Sequence, residues 1–209
     1  AKSFCHAGRA INSGPSGPRA AADRARLWAR EYRFQPAEHA AFLDKSEMNL
    51  ARRMGGDGRW SATLAVAPDI DAARGYRWPP RLNRIAQGPG NLGDRMGRVM
   101  AALPPGPVVI IGADIPEIAP GHIARAFRLL GANDAVFGPA PDGGYWLVGL
   151  KRRPRIQDIF AAVRWSSPDA LADTVANLPA ARIAYLDPLA DIDDGEAYRD
   201  WAARRRGTT

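Results

Sequence analysis

Apolar residues fall in short runs separated by polar, Gly- and Pro-rich stretches, and the runs have two different periods. In "NLGDRMGRVMAAL", Leu92, Met96, Val99 and Leu103 recur every three or four residues, which predicts a helix over 91–103 with those four on its buried face. "GHIARAFRLLG" repeats the pattern with Ile123, Phe127 and Leu130. "PPGPVVIIGAD" is different: Val108 to Ile111 are apolar without alternation, as in a parallel strand covered by helices on both faces. "WSATLAVAP" (60–68), "DAVFGPA", "YWLVGLK" and "ARIAYLD" read as further strands. "IQDIFAAV" and "SPDALADTVANL" read as helices, the second capped by Ser167 ahead of Pro168, and "GEAYRDWAARRR" as a basic-ended last helix. Strands alternating with helices predict the α/β class: a three-layer α/β/α domain around a mostly parallel sheet.

The front of the chain lacks this regularity. Residues 1–20, rich in Gly, Ser, Pro and Ala, read as an arm. The Arg/Ala-rich stretch from Gly17 to Phe34 and the stretch from Pro36 to Met54, with Phe42, Met48 and Leu50, read as helices ended by "GGDG" at 55–58. Residues 69–90, with Pro79, Pro80, Gly88, Pro89 and Gly90, read as irregular. A central parallel strand needs about five consecutive residues, mostly apolar or β-branched. Between Ala1 and Gly58, "SFCHA" and "AAFL" come nearest, so the front is expected to supply helical cover and no central strand. This divides the chain into a basic N-terminal segment, 1–58, and an α/β domain, 59–209. The edge beside "TLAVA" or "VVIIG" would then need protection by helices or by a homodimer.

Composition narrows the function classes. With 46% hydrophobic and 24% charged residues in 209, the chain can build a core. The net charge of +7 raises nucleic acid as a partner, but its placement argues against one. Residues 1–60 hold eleven Lys/Arg against six Asp/Glu, whereas Pro107 to Leu150 hold Arg125 and Arg128 against Asp114, Glu117, Asp134 and Asp142. The centre is acidic and the fringe basic. No apolar run is long enough to span a bilayer. One cysteine, Cys5, leaves no internal disulfide or thiolate metal cluster, and a reducing cytoplasm is the expected setting. His6, His39 and His122 are scattered and outside any nucleophile elbow, with His122 expected to face solvent in a first helical turn.

The candidate chemistry lies in three stretches. Asp114 stands where "VVIIGAD" ends, and ligands of open α/β sheets bind beyond the carboxyl ends of the strands. There it is either a metal ligand or a loop cap. Asp187, Asp191, Asp193 and Asp194 crowd "YLDPLADIDDGEAY"; they serve as helix caps or, with Asp114, as oxygen ligands for a hard cation such as Mg²⁺. In "QGPGNLGDRMGR", glycines let the backbone approach a ligand, and a helix start with Arg95 one turn in suits a phosphate or a base edge; an ordinary helix entry explains it too. "GPAPDGGYWLVGL" carries an Asp-Gly pair that a hairpin alone explains, but also Pro139, Pro141, Tyr145 and Trp146, which suit a pocket wall.

In order, "RWSATLAVAPD", "QGPGNLGDRM", "GPVVIIGADIPEI", "DAVFGPAPDGGYWLVGL", "VRWSSPDALADT" and "DPLADIDDGEAY" resemble the bacterial GT-A-fold, glycosyltransferase-like family of the nucleotide-diphospho-sugar transferase superfamily. One branch is the arsenosugar-biosynthesis-type glycosyltransferases; more distant are the molybdenum-cofactor and phospholactate guanylyltransferases. The resemblance spans roughly residues 59–200. It implies that Asp114 and Asp193, with Asp191 beside it, hold Mg²⁺ or Mn²⁺. It places Gln87, Gly88, Gly93, Asp94 and Arg95 against base and ribose. Gly143, Gly144, Tyr145 and Trp165 would enclose sugar or a small-molecule acceptor, and Asp142 would bind a sugar hydroxyl or act as the base. The implied activity is metal-dependent glycosyl transfer from a nucleotide-diphospho-sugar. Guanylyltransferase-type nucleotidyl transfer and a non-catalytic binding relic of the fold are the alternatives.

The front departs from the family, which opens with an apolar strand and a Pro-x-x-Gly-x-x-Lys-x-Arg-Leu phosphate loop. Divergence and a shifted reading frame both fit "GRAINSGPSGPRAA". Without a strand to carry the loop, nucleotide affinity is expected to be weak or absent.

Overall fold

The computed structural model describes residues 3–7, 48–67, 69–73, 79, 82–112, 115–153, 158–190 and 201. Among these, the elements in chain order are β1 (Ser3–Ala7), α1 (48–55), β2 (Ser61–Val66), α2 (Ile70–Ala73), β3 (Asn83–Ala86), α3 (Leu92–Ala102), β4 (Val108–Ile111), α4 (Pro120–Leu129), β5 (Ala135–Pro139), β6 (Tyr145–Leu150), α5 (Ala170–Ala176) and β7 (Ile183–Tyr185).

The strands form one seven-stranded sheet in the order β3-β2-β1-β4-β6-β5-β7. Every neighbouring pair is parallel except those made by β6, which runs antiparallel to both β4 and β5. The sheet is thus mostly parallel, and β6 is the one reversed strand because a short turn returns it directly from β5. Helices cover both faces. On one, α1 and α4 bury Leu50, Met54, Ile123, Ala126 and Phe127 against Val109, Ile111 and Trp146. On the other, α3 buries Met96, Val99 and Met100, with Ile159, Phe160 and Leu178, against Val108, Ile110, Phe137 and Val148. This is the expected three-layer architecture, and all four residues of β4 are buried.

The front corrects the sequence reading. Ser3–Ala7, the "SFCHA" stretch, is a central strand: Ser3 pairs with both Ser61 and Val108, and His6 with both Leu64 and Ile111. Its strand character comes from tertiary pairing, since β2 and β4 each offer it a full edge of donors and acceptors. The basis for expecting weak nucleotide affinity, a sheet lacking its central strand, falls with this correction. Residues 48–55 also share the common core through Leu50, Ala51 and Met54. The expected helices over 17–34 and 36–47 lie outside the described residues, as does the last helix except Trp201.

Three other elements differ. Residues 69–90 hold α2 and β3, the latter an edge strand too polar and short to stand out. In "IQDIFAAV", the described residues 158–163 are turns rather than helix. Ala162 has a φ of 54°, and the Asn177 side-chain amide donates to the carbonyls of Ile159 (3.1 Å) and Ala161 (2.8 Å), holding the chain in that turn. The helix after it starts later than Ser167: Asp169 is its N-cap, and the Ser167 hydroxyl accepts the Asp169 N–H at 3.2 Å.

Candidate functional site

The carboxyl ends of the parallel strands, the entry to α3 and the β5–β6 turn gather along one edge of the sheet. The entry to α3 is the most heavily determined part. Gly88 and Gly90 take φ of 77° and 103°, which favour glycine. A Cβ on Gly88 would lie 2.5 Å from the Arg98 guanidinium, and one on Gly90 2.5 Å from the Asp94 carboxylate. Asn91 and Asp94 form a reciprocal capping box: the Asp94 N–H donates to Asn91 Oδ1 (3.0 Å) and the Asn91 N–H to Asp94 Oδ2 (2.9 Å). Arg95 Nε donates to the Gly90 carbonyl at 2.9 Å. The Gly88 N–H donates to Asp69 Oδ1 at 2.9 Å, joining the end of β2 to the loop.

Gln87 is 2% exposed, and its amide donates to the Ala65 carbonyl at 2.9 Å, tying the loop to β2. Leu92 departs from the expected buried stripe and is 38% exposed, while Met96, Val99 and Leu103 are buried. A small hollow beside it is lined by Gln87, Leu92, Arg95, Met96, Val99 and Ile110. Gly93 is buried at the start of α3, because a Cβ there would meet the Trp165 ring at 2.8 Å.

The turn between β5 and β6 spans residues 140–144, longer than the two-residue hairpin that Asp-Gly suggests. Asp142 is exposed, and its Oδ1 accepts the Gly144 N–H at 2.9 Å. Gly143, at φ 87°, packs its α-carbon against the Pro168 backbone, and its carbonyl accepts the Leu171 N–H at 3.0 Å. The turn is therefore locked onto the start of α5 rather than free. Tyr145 points into the α3 side, where its hydroxyl lies 3.3 Å from Thr174 Oγ1 and burial pushes its pKa up. Trp165 meets Tyr145 edge-on at 6.4 Å and Phe160 at 6.1 Å. So Gly93, Trp165, Tyr145 and Gly143, drawn from three separate motifs, form one continuous strip between α3 and the β5–β6 turn. The joint was hidden in the sequence because it depends on two glycines giving way, one to an indole and one to a backbone.

On the opposite face, the Trp146 ring fills the space left by Gly138, where a Cβ would lie 2.3 Å from it, and its Nε1 donates to the Asp187 carbonyl at 3.3 Å. His122 does not face solvent as expected. It is half-buried, its Nδ1 accepts the Ala119 N–H at 3.2 Å, and its ring meets Trp146 at 5.6 Å. After β7 the chain follows β5: the Leu186 N–H donates to Phe137 and the Leu189 N–H to Pro139. Asp187 itself is exposed and pairs with Arg125 at 2.6 Å.

Of the expected metal ligands, Asp114, Asp191 and Asp193 lie outside the described residues. Among the described residues no group of three or more His, Cys, Asp or Glu side chains could hold a metal ion. No described helix is long and apolar enough to cross a membrane.

The fold is similar to that of a Desulfovibrio desulfuricans G20 protein provisionally described as a nucleotide-diphospho-sugar transferase: 20% identity, 92% of this chain and 82% of that one, TM-score 0.70. It is also similar to the 4-diphosphocytidyl-2C-methyl-D-erythritol synthase of Anaerococcus prevotii DSM 20548, at 10% identity, 98% of each chain and a TM-score of 0.59. A third likeness is to Rv0371c of Mycobacterium tuberculosis H37Rv, solved with manganese: 15% identity, 95% of this chain and 96% of that one, TM-score 0.53. At these identities the likeness is one of fold. No curated protein matches the sequence. The bacterial family described as an uncharacterized protein conserved in bacteria (DUF2064) matches residues 50–167, more than half of the chain, and the chain belongs to that family.

Proposed function

We propose that the protein is a divalent-metal-assisted transferase that takes a nucleotide-diphospho-sugar as donor and passes the sugar to a small-molecule acceptor. The observation that carries this reading is the strip at the carboxyl edge, where the α3 entry, Trp165 and the Asp142–Gly144 turn are built into one surface. The α3 entry, Gln87 to Arg95, is the nucleotide side, where two glycines and a helix start meet. Trp165 and Gly144 form the sugar and acceptor side, backed by Tyr145, whose hydroxyl faces Thr174, and by Gly143 packed on Pro168, with exposed Asp142 to bind a hydroxyl or take its proton.

Asp114 enters two residues beyond Gly112, whose N–H donates to the Trp146 carbonyl at 3.1 Å. Asp191 and Asp193 follow Ala190, just after the segment that bonds to Pro139. By the resemblance these three carboxylates are the candidate oxygen donors, a set that suits Mg²⁺ or Mn²⁺. Such an ion would neutralise charge on the departing diphosphate. The likeness to the manganese-bound mycobacterial protein supports a divalent cation.

A second reading, nucleotidyl transfer, is favoured by the end-to-end likeness to the diphosphocytidyl synthase. Phosphorus NMR of the full chain with Mn²⁺-free and Mg²⁺-containing mixtures separates them. Release of nucleoside diphosphate from a nucleotide-sugar supports the first reading. Release of pyrophosphate from a nucleoside triphosphate supports the second, and neither product, across all common bases and sugars, leaves a binding relic.

A further inference from the structure

We propose that Arg98 is a positioning residue for the nucleotide loop: it clamps the carbonyls of Gln87 and Pro89 onto α3 and so keeps acceptor oxygens off the ligand edge. The inference rests on the nucleotide reading of the α3 entry. Arg98 Nη1 donates to the Gln87 carbonyl at 2.5 Å and Nη2 to the Pro89 carbonyl at 2.9 Å. The guanidinium fills the space beside Gly88 that a Cβ would occupy, so the positive φ of Gly88 and the reach of Arg98 are one device. With Arg95 on Gly90, three carbonyls of the loop, at 87, 89 and 90, are tied by arginine side chains, and Asp69 holds the Gly88 N–H between them.

The physical consequence concerns sign. A phosphate or a base carbonyl arriving at this edge needs donors, and a backbone carbonyl turned outward would repel it. A planar two-donor fork from α3 holds two such carbonyls away and brings a positive charge under the loop. A lysine in its place supplies the charge but not the fork.

The test compares the full-length protein with Arg98→Met and Arg98→Lys. Titration calorimetry with UDP, GDP, CDP and ADP in Mn²⁺ reads affinity, and amide hydrogen exchange of the free protein reads the loop. The expected result is a loss of about tenfold in affinity for Arg98→Met, the worth of a charge-assisted hydrogen bond, with Arg98→Lys in between. Exchange should rise at the Gly88 and Asn91 amides, both protected by carboxylates, and stay unchanged in β4. If the wild type binds none of the four nucleotides, the nucleotide reading fails, while the exchange data still decide whether Arg98 holds the loop. Unchanged exchange at Gly88 and Asn91 in Arg98→Met overturns the clamp. Faster exchange with unchanged affinity overturns its role in nucleotide binding.

Discussion

Adding a single methyl group at Gly143 should cost more than any other change of its size at the turn. Gly143 has a φ of 87°, and a side chain there costs about 1–2 kcal/mol in backbone strain. Its Cβ would also lie 2.1 Å from the Pro168 carbonyl oxygen and 2.5 Å from the Pro168 α-carbon. Both are backbone atoms, fixed by the Leu171 N–H bond to Gly143, so relief requires moving the start of α5. Overpacking of this kind costs about 1–3 kcal/mol. Restricting the unfolded chain returns about 0.4–1 kcal/mol. Taking the middle of each range, the net loss is about 3 kcal/mol for Gly143→Ala. For a chain of this length 1 kcal/mol moves Tm by about 2–4 °C, so the drop is roughly 5–15 °C. Gly144→Ala is the internal control. The atoms nearest its Cβ would be those of the Asp142 carboxylate, at 3.1 Å, and its φ is not positive, so Tm should fall by less than about 3 °C. Thermal unfolding of both variants is the assay. Equal Tm values for the two would refute the claim that the turn is locked onto α5.

Arg152 gives a second stability prediction. Its guanidinium donates to the carbonyls of Met100, Leu103, Pro104 and Gly106, closing the end of α3. Arg152→Met should lower stability by about 2–3 kcal/mol, read by urea unfolding with an unchanged m-value. The third is a pH dependence. Hydrogen bonds from Arg164 hold the Asp173 pKa down to about 2 from its usual 3.8. A depressed carboxylate stabilises the fold above its unfolded pKa and loses that contribution as pH falls through the folded one. The Tm gap between wild type and Asp173→Asn should therefore be constant above about pH 4 and shrink towards pH 2. A gap that is flat across this window would exclude the pair as an acid-sensitive contact.

Periodicity carried the parts of the fold that packing decides locally. α3, α4 and β4 follow from apolar spacing because each buries a face or a whole strand against a neighbour. The strand Ser3–Ala7 was illegible because its pairing on both sides, rather than its residues, makes it a strand. The stretch 158–163 has helical apolar spacing, while the Asn177 side chain that holds it in a turn lies sixteen to eighteen residues away. The motifs of the site were visible as Gly- and Asp-rich interruptions between strands. What joins them was not: Gly93 yields space to Trp165, and Gly143 to Pro168, contacts that no spacing encodes. Arg98 likewise reads as one more helical arginine until its carbonyl partners are seen.

The proposed activity requires the carboxyl edge to bind a nucleotide-diphospho-sugar through a divalent cation. Its most direct test is calorimetric titration of the full chain with UDP- and GDP-sugars, with Mn²⁺ and with EDTA, repeated on Asp114→Asn. The expected result is saturable binding of at least one donor in Mn²⁺, lost in EDTA and lost in the variant. Binding that is equally strong in EDTA and in Asp114→Asn, or no binding of any donor in Mn²⁺, would contradict it.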